Sequence, residues 1–553
     1  MRIRGFIILC LLGMTIAMSG CASGEKNKPD MNQEETSVSS LPLQMIDDKY
    51  RTYYEVFVYS FYDSDGDGIG DIKGLTDKLD YINDGDDSTF EDLGCNGIWL
   101  MPIMPSTTYH KYDVTDYCGI DPEYGTMEDF DAFMDACNDR DIHVLIDLVL
   151  NHTSSKHPWF IEAITYLQSL DGNEPSIEEC KYFDYYNFAQ EKISGVWYQV
   201  PGTNDWYYEA PFWGEMPDLN LSSEMVRDEI AEITKFWLDK GVAGFRLDAA
   251  KEYVSANTTA NVEILNWLNQ TVTSQKEDAY LVAEVWTDVD TYARYYESDI
   301  DSVFNFQFAA QDGMIAGALN LTGGKTPTAY GKAAEQIEEK LSAYNPDYID
   351  APFYTNHDMG RSAGYYAGEG STEKTKIAQA MNLLMSGNAF LYYGEELGMK
   401  GAGNDENKRA PMQWSSEVNA EGMCSGPEDM NSITMKFGSL EEQLADPASV
   451  YHYIKDVIHI RNAFPEIARG STKYLAEISG EQACVFKKTY EGSEILLLYN
   501  LSAEPVTVNT EGIMVNGQEW SGLDAKAVLL TGEDKVVKEE NAIILPPYSV
   551  LVY

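Results

Sequence analysis

The chain is short of positive charge. Its 553 residues carry 39 lysines and arginines against 90 aspartates and glutamates, a formal net charge of −51. A surface of that sign repels phosphate backbones, which argues against any nucleic-acid partner. Cysteine is also sparse. Of eight in all, Cys10 and Cys21 fall in the first 21 residues. The other six (Cys95, Cys118, Cys137, Cys180, Cys424, Cys484) lack metal-ligand spacing, which argues against a zinc site and leaves any disulfide pairing open. Long apolar runs are missing beyond the N-terminus, so no internal membrane span is expected.

What is present describes a folded protein with an export signal. Hydrophobic residues at 44% and aromatics at 12% suit a packed globular chain rather than a disordered one. Met1 to Gly20 has a basic start (Arg2, Arg4), an apolar stretch from Phe6 to Met18, and then small residues. That pattern predicts a secretory signal over 1–20. Met18-Ser19-Gly20-Cys21 resembles the bacterial lipoprotein site, cleaved before a cysteine that takes up lipid. The expected location is therefore outside the cell, lipid-anchored through Cys21 on the outer face of a bacterial membrane. Ala22 to about Leu43 is polar and without periodicity, so 21–45 reads as anchor and tether.

Beyond the tether, strand-like and helix-like stretches alternate. The strand candidates are Tyr54–Ser60, Asn96–Met101, Ile142–Leu148, Val242–Asp248, Tyr280–Glu284, Ser302–Phe306, Ile349–Thr355 and Ala389–Gly394. Amphipathic stretches such as Met127–Arg140, Ser222–Lys240, Val262–Gln275 and Lys374–Met385 lie between them. Eight such repeats predict an α/β fold, a closed (β/α)8 barrel of the TIM type. The segment from His152 to Phe212 is far longer than an ordinary connection and predicts a small inserted domain after strand 3. Val450–Arg461 reads as the last barrel helix. After Gly470 the pattern turns to short alternating strands, an all-β C-terminal domain. The expected limits are 46–469 for the barrel, 152–215 for the insertion and 470–553 for the terminal domain.

Four of the strand candidates end on ionisable groups. Val242–Leu247 runs into Asp248, with Arg246 two residues earlier and so on the same strand face. A guanidinium there holds the carboxylate ionised and oriented, as a carboxylate nucleophile requires. Asp147 leads to Asn151-His152, Tyr280–Ala283 leads to Glu284, and Ile349–Thr355 leads to Asn356-His357-Asp358. Ionisable groups at the ends of successive parallel strands are how a barrel builds an active site. In kind and in order, these stretches resemble the conserved regions of the α-amylase family of glycoside hydrolases, family thirteen.

The resemblance implies a retaining glycosidase. Asp248 would be the nucleophile, Glu284 the general acid and base, and Asp358 the third carboxylate, acting on ring hydroxyls. His152 and His357 match the family's hydroxyl-binding imidazoles, while Asp147 is expected to orient Arg246 rather than touch sugar. Tyr109 to Tyr117 resembles the stretch that stacks a tyrosine, here Tyr112, on the sugar being cleaved, with His110 binding the same ring. Lys111 stands where the family usually has glycine. The 37 tyrosines and 10 tryptophans supply further faces for sugar rings. In the family the terminal β domain is a sandwich.

Asp63-Ser64-Asp65-Gly66-Asp67-Gly68-Ile69-Gly70-Asp71 places acidic side chains at alternate positions with glycines for a tight turn, an oxygen cage suited to Ca²⁺. It is not an EF-hand, because Gly74 occupies the twelfth position. It resembles the family's calcium loop, with Asp63, Asp65, Asp67, Asp71 and the Ile69 carbonyl as ligands. The second family site, on a histidine after the nucleophile motif, is not expected, since Glu252 follows Lys251.

Three features bear on specificity. Met216-Pro217-Asp218-Leu219-Asn220 resembles the signature of a group intermediate between oligo-1,6-glucosidases and neopullulanases. Ala249 after the nucleophile resembles α-1,4-acting members, and exo-acting α-glucosidases usually carry an acid just before the stacking Tyr, where this chain has Tyr109-His110. The expected activity is internal cleavage of α-1,4-glucans such as starch and maltooligosaccharides by a monomer, an α-amylase. An α-glucosidase or neopullulanase-type enzyme, a transglycosylase, and a non-catalytic glycan-binding lipoprotein remain alternatives.

Overall fold

In the computed structural model, residues 37–193 and 195–553 are described. Seven regular parallel strands form one sheet: β1 (Thr52–Val56), β2 (Gly97–Leu100), β3 (His143–Leu148), β4 (Gly244–Leu247), β5 (Tyr280–Ala283), β6 (Ser302–Val303) and β7 (Ala389–Tyr392). Neighbours pair in sequence order, and β7 returns to pair with β1. The remaining gap is bridged by residues 351 and 353, where Ala351 pairs with Phe304 and Phe353 with Phe390. This is the closed barrel expected from the sequence. The expected strand at Ile349–Thr355 survives only as two isolated bridges because Pro352 has no N–H to give, although its carbonyl still accepts from Phe390 N at 2.9 Å.

The barrel is ringed by helices α1 (Ile72–Asp77), α2 (Met127–Asn138), α3 (Glu224–Asp239), α4 (Thr258–Gln275), α5 (Pro327–Ser342), α6 (Ser371–Leu383) and α7 (Val450–Ala463). Their starts follow capping chemistry. Thr126 and Asp129 form a reciprocal capping box at α2, and Ser223 caps α3.

Strand alternation sorts side chains between the barrel's two faces. Tyr53, Trp99, Leu145, Tyr280, Val282, Phe304 and Phe390 pack together inside. Tyr53 stacks between Tyr280 (5.6 Å between centroids) and Phe390 (4.9 Å). Room for these rings comes from Gly97, where a Cβ would lie 2.4 Å from the Tyr53 ring, and Gly244, where it would lie 1.9 Å from the Tyr280 carbonyl. Two residues further along their strands, the same inward face carries Glu55 and Arg246. The barrel floor is therefore aromatic and its upper end is ionic.

Two further expectations shift. The first strand was expected over Tyr54–Ser60 but runs Thr52–Val56, followed by a single turn at Val58–Ser60. Phe57 and Val58 are buried all the same, which is why they read as strand. The tether reading fails at its end. Val38 is buried, and the Leu41 carbonyl lies 2.9 Å from His459 Nε2 on α7. Gln44 Nε2 donates to Ala463 O at 3.0 Å, so 37–44 is packed against the last barrel helix rather than free. The signal at 1–20, Cys21 and the rest of the tether to residue 36 lie outside the described residues.

Between β3 and β4, the long connection holds a helix (Pro158–Ser169) and a three-stranded antiparallel sheet of Phe188–Ala189, Tyr207–Glu209 and Trp197–Gln199. After Gly470 come a five-stranded and a three-stranded sheet. Val485, Leu496, Leu498 and Leu551 of the larger sheet share a core with Val508, Ile543 and Leu545 of the smaller, the arrangement of a sandwich. The alternate residues Phe486, Leu497, Tyr499 and Val550 join the core around the barrel. One sheet thus seals the sandwich and docks it.

Candidate active site

At the ionic end of the barrel, Arg246 on β4 is fully buried and binds three carboxylates. Its Nη1 donates to Asp147 at 2.8 Å and to Asp248 Oδ1 at 2.7 Å, and its Nη2 donates to Glu284 Oε2 at 2.7 Å. Strand register explains the meeting: Asp147 of β3 pairs directly with Arg246, and Arg246 with Val282 of β5, two residues before Glu284. The expectation that Asp147 orients Arg246 holds, since Asp147 is fully buried and bound through both oxygens.

The turn after β4 is strained. Ala249 has φ 47, a left-handed conformation uncommon for a residue with a side chain, and its N–H donates to Glu284 Oε2 at 3.0 Å. That turn brings Asp248 and Glu284 onto the same guanidinium. Burial pushes both carboxyls above their ordinary range, while Arg246 pulls each the other way. For Glu284 the negative charges of Asp248 and Asp358 add to burial.

Asp358 is held differently. His357 Nε2 lies 3.1 Å from its Oδ2, and Arg409 Nη2 donates to its Oδ1 at 2.9 Å. Burial alone would raise Asp358, but the two cations override it and hold it well below the usual carboxylate range. Tyr112 OH completes the group, 3.0 Å from Asp147 Oδ2 and 2.8 Å from His357 Nε2.

A cavity of about 480 Å³ opens above these residues. His110, Tyr112, His152, Asp248, Glu284 and Asp358 all line it, so six of the eight predicted catalytic and binding residues share one wall. Arg246 and His357 lie beneath that wall, in contact with its carboxylates. Burial lowers both His110 and His152 to about 4, leaving neutral rings. His152 Nε2 is buried with no hydrogen-bond partner among the described residues, the condition of a group open to a ligand hydroxyl.

The loop bearing His110 and Tyr112 is pinned from below. Asp113 accepts from the hydroxyls of Ser106, Thr107, Thr108 and Ser154. Lys111, where the family usually has glycine, adopts φ 63, the left-handed conformation glycine takes at no cost. Its buried ammonium pairs with Asp121 at 3.0 Å and with Glu123, offsetting that strain.

The sequence reading did not single out Arg409, Glu55, Phe212, Trp286, Asp405 or Lys408. Phe212, Trp286, Asp405, Lys408 and Arg409 line the cavity. Trp286 is half-exposed and stacked on Phe306 at 5.1 Å, and Phe212 packs on His152 at 5.4 Å. Trp286 sits two residues past Glu284 and was legible. Arg409 lies in an irregular loop beyond β7, where no periodic pattern points to it.

The acidic loop lies between β1 and α1. Asp63, Asp65 and Asp71 bring one carboxylate oxygen each within 4.8 Å of one another. Gly66 and Gly68 take φ 87 and 95 to close the turn, and their N–H groups donate to Asp63 at 2.6 and 2.8 Å. Three converging hard oxygen donors fit Ca²⁺. Asp67, expected as a fourth ligand, falls outside this group: it is exposed and accepts from Ile69 N at 2.8 Å in a local turn. Ile69 is half-buried on the same turn. Asp71 also caps α1 by accepting from Gly74 N at 2.7 Å.

Comparison with known proteins agrees with this geometry. Residues 55–470 match the family model described as alpha amylase, catalytic domain. "Alpha-amylase 3" of Dictyoglomus thermophilum is 35% identical, over 91% of this chain and 93% of its own. "Probable oligo-1,6-glucosidase 3" of Bacillus subtilis is 26% identical, over 91% and 98%. Among solved structures, Eubacterium rectale Amy13B superposes with a TM-score of 0.88 at 51% identity, covering 93% of this chain and 97% of its own. The alpha-amylase from H. orenii gives 0.78 at 36%, over 91% and 99%.

Replacing Lys111 by methionine keeps the strained backbone and removes the charge that compensates it. Lys111→Met is expected to cost ~3 kcal/mol of stability, the order seen when one partner of a buried ion pair is lost. Urea denaturation measures it, and an unchanged midpoint with unchanged slope would refute the role given to this lysine.

Proposed function

Because the chain belongs to the alpha-amylase family of glycoside hydrolases, we propose that Asp248, Glu284 and Asp358 carry its reaction and that internal α-1,4 bonds of starch-like glucans are its target. The observation that carries this reading is the single guanidinium of Arg246 bound to Asp147, Asp248 and Glu284 at the cavity floor. Two carboxyls on one guanidinium, with Glu284 pushed up by burial and by the negative charges of Asp248 and Asp358, suit the nucleophile and acid pairing that glycoside hydrolysis with retention needs.

In the first step an Asp248 oxygen bonds to the anomeric carbon as the glycosidic C–O bond breaks. Glu284 gives its proton to the departing oxygen. In the second step water attacks the same carbon, Glu284 takes its proton, and the Asp248–sugar bond breaks. Asp358, fixed by His357 and Arg409, orients ring hydroxyls, and neutral His110 and His152 exchange hydrogen bonds with others. Tyr112 supplies the ring face against which the cleaved sugar stacks.

Tyr109 favours internal attack. In the stretch before the stacking Tyr112, where exo-acting relatives usually carry an acid, its neutral phenol accepts from Arg409 Nη1 at 3.0 Å. The second reading, an exo-acting glucosidase on short oligosaccharides, draws support from the similarity to "Probable oligo-1,6-glucosidase 3".

Two experiments test this together. Glu284→Gln is expected to lower turnover by ~10³-fold while binding of maltooligosaccharides persists; unchanged turnover would remove Glu284 from the mechanism. A maltoheptaoside blocked at its non-reducing end is expected to be cut internally. Release of glucose only from the unblocked sugar would transfer the assignment to an exo-glucosidase.

Ca²⁺ bound by Asp63, Asp65 and Asp71 would offset most of the charge of three carboxylates and fasten the turn between β1 and α1, a structural role away from the bond-breaking residues. Chelator is expected to lower the melting temperature, and added Ca²⁺ to restore it. A melt indifferent to both would exclude a tight site.

Attachment to the outer face of a bacterial membrane through lipid on Cys21 completes the proposal, resting on the sequence motif alone. Cys21→Ser should move the protein from the membrane fraction to the medium. Retention on the membrane would mean that something other than lipid at this residue holds it.

A further inference from the structure

Glu55 lies on β1, facing into the barrel, with 1% of its surface exposed. A carboxylate buried to that degree is costly unless it is paired. Its Oε1 lies 2.6 Å from Nδ1 of His357, itself 1% exposed. The other ring nitrogen, Nε2, lies 3.1 Å from Asp358 Oδ2 and 2.8 Å from Tyr112 OH. The imidazole is therefore enclosed by a carboxylate at each end.

Hydrogen bonding assigns its protons. An ionised carboxylate only accepts, so Nδ1 must donate to Glu55. Tyr112 OH has one proton, and Asp147 Oδ2, 3.0 Å away and ion-paired to Arg246, accepts it. Nε2 then faces a phenol lone pair and the Asp358 carboxylate, both acceptors, and must also donate. A histidine that donates from both nitrogens is an imidazolium.

The charge balance of the cluster points the same way. Facing or adjoining His357 are Glu55 on β1, Tyr112, Asp147 on β3, Arg246 and Asp248 at the end of β4, Glu284 after β5, Asp358, and Arg409 beyond β7. Five carboxyls face two guanidinium groups. A neutral His357 would leave Asp358 with Arg409 as its only cation in contact.

We propose that Glu55 is a positioning residue for the reaction: from the inward face of β1 it keeps His357 an imidazolium, and that cation, with Arg409, holds Asp358 ionised and aimed into the cavity. The inference rests on the role given to Asp358 above. Burial by itself would lower His357, yet Asp358 and Glu55 raise it to about 9. The charged form therefore persists below that pH and is lost as pH rises through it. Glu55 never reaches the substrate. It acts through the histidine.

The test combines activity with a readout that does not depend on activity. In the full-length protein labelled with ¹⁵N-histidine, the His357 signal, assigned by its loss in His357→Gln, is expected to show both nitrogens protonated at pH 7.5. Glu55→Gln, the same shape without the charge, should bring His357 to its neutral form at that pH. It should also move the alkaline limb of kcat/KM about two pH units toward acid, at least a tenfold loss at pH 8.5 with little change at pH 6. Glu55→Asp should recover part of that limb, and Glu55→Gln should have no further effect on the pH profile in a His357→Gln background.

A neutral His357 in the unmutated protein at pH 7.5 would overturn the proposal without any variant having to fold. So would a Glu55→Gln enzyme with an unmoved alkaline limb, because a merely structural glutamate would lower activity equally at every pH. Should the unmutated protein turn over no α-glucan at all, the functional reading falls, while the ¹⁵N titration still decides the state of His357.

Discussion

One guanidinium organises the catalytic end of this barrel. Arg246 is completely buried, and an isolated buried cation of this kind would be prohibitively unfavourable. Its cost is offset by three carboxylates from three consecutive strands, each in hydrogen-bonding contact. The dependence is mutual. Without Arg246, Asp147 would be a fully buried carboxylate missing its counter-charge, and Asp248 and Glu284 would lose the anchor that brings them together. Strand register, the left-handed turn at Ala249 and the placement of the Asp248 carboxylate are all tied to this residue.

The rest of the cluster extends the same logic outward. His357 and Arg409 bind Asp358 as Arg246 binds Asp248. The difference in surroundings separates the carboxyls chemically. Asp358, gripped by two cations, is driven below the ordinary range, whereas Glu284, which shares Arg246 and faces two other carboxylates, is driven above it. One small volume thus holds one carboxyl pushed toward its charged form and another pushed toward its neutral one. Burial raises every carboxyl here, and the local count of cations decides which of them stay ionised.

Much of this was legible because periodicity and charge coincide at strand ends. The apolar runs that form β2 to β5 and β7 stand out; Asp248 and Glu284 follow two of them, and Asp358 follows the apolar run Ile349–Thr355. Arg246 and Asp248 could be placed on one face from spacing alone. What was hidden lay where backbone pattern carries no information. Arg409 sits in an irregular loop 51 residues from the aspartate it grips, and no local signal couples the two. Glu55 was missed for the opposite reason. Flanked by buried apolar neighbours within a five-residue strand, it looks like part of the wall until the closed barrel places it 302 residues away against His357.

The places where the elements strayed from expectation share one cause: tertiary closure overrides local pattern. Phe57 and Val58 have strand character, but the chain must turn there to carry the acidic loop, with Gly70 N donating to the Tyr59 carbonyl at 2.8 Å. Pro352 interrupts the seventh stave of the barrel, yet the stave is held by bridges on both sides because Thr355 to Asp358 must reach the ionic end at the height of Asp248. Lys111 tolerates a glycine-like backbone because its ammonium meets Asp121 and Glu123 beneath the loop. In each case a local preference yields to the placement of a charge. The fold spends its irregularities at the end of the barrel where carboxylates have to be held at fixed positions, and it keeps the aromatic floor regular.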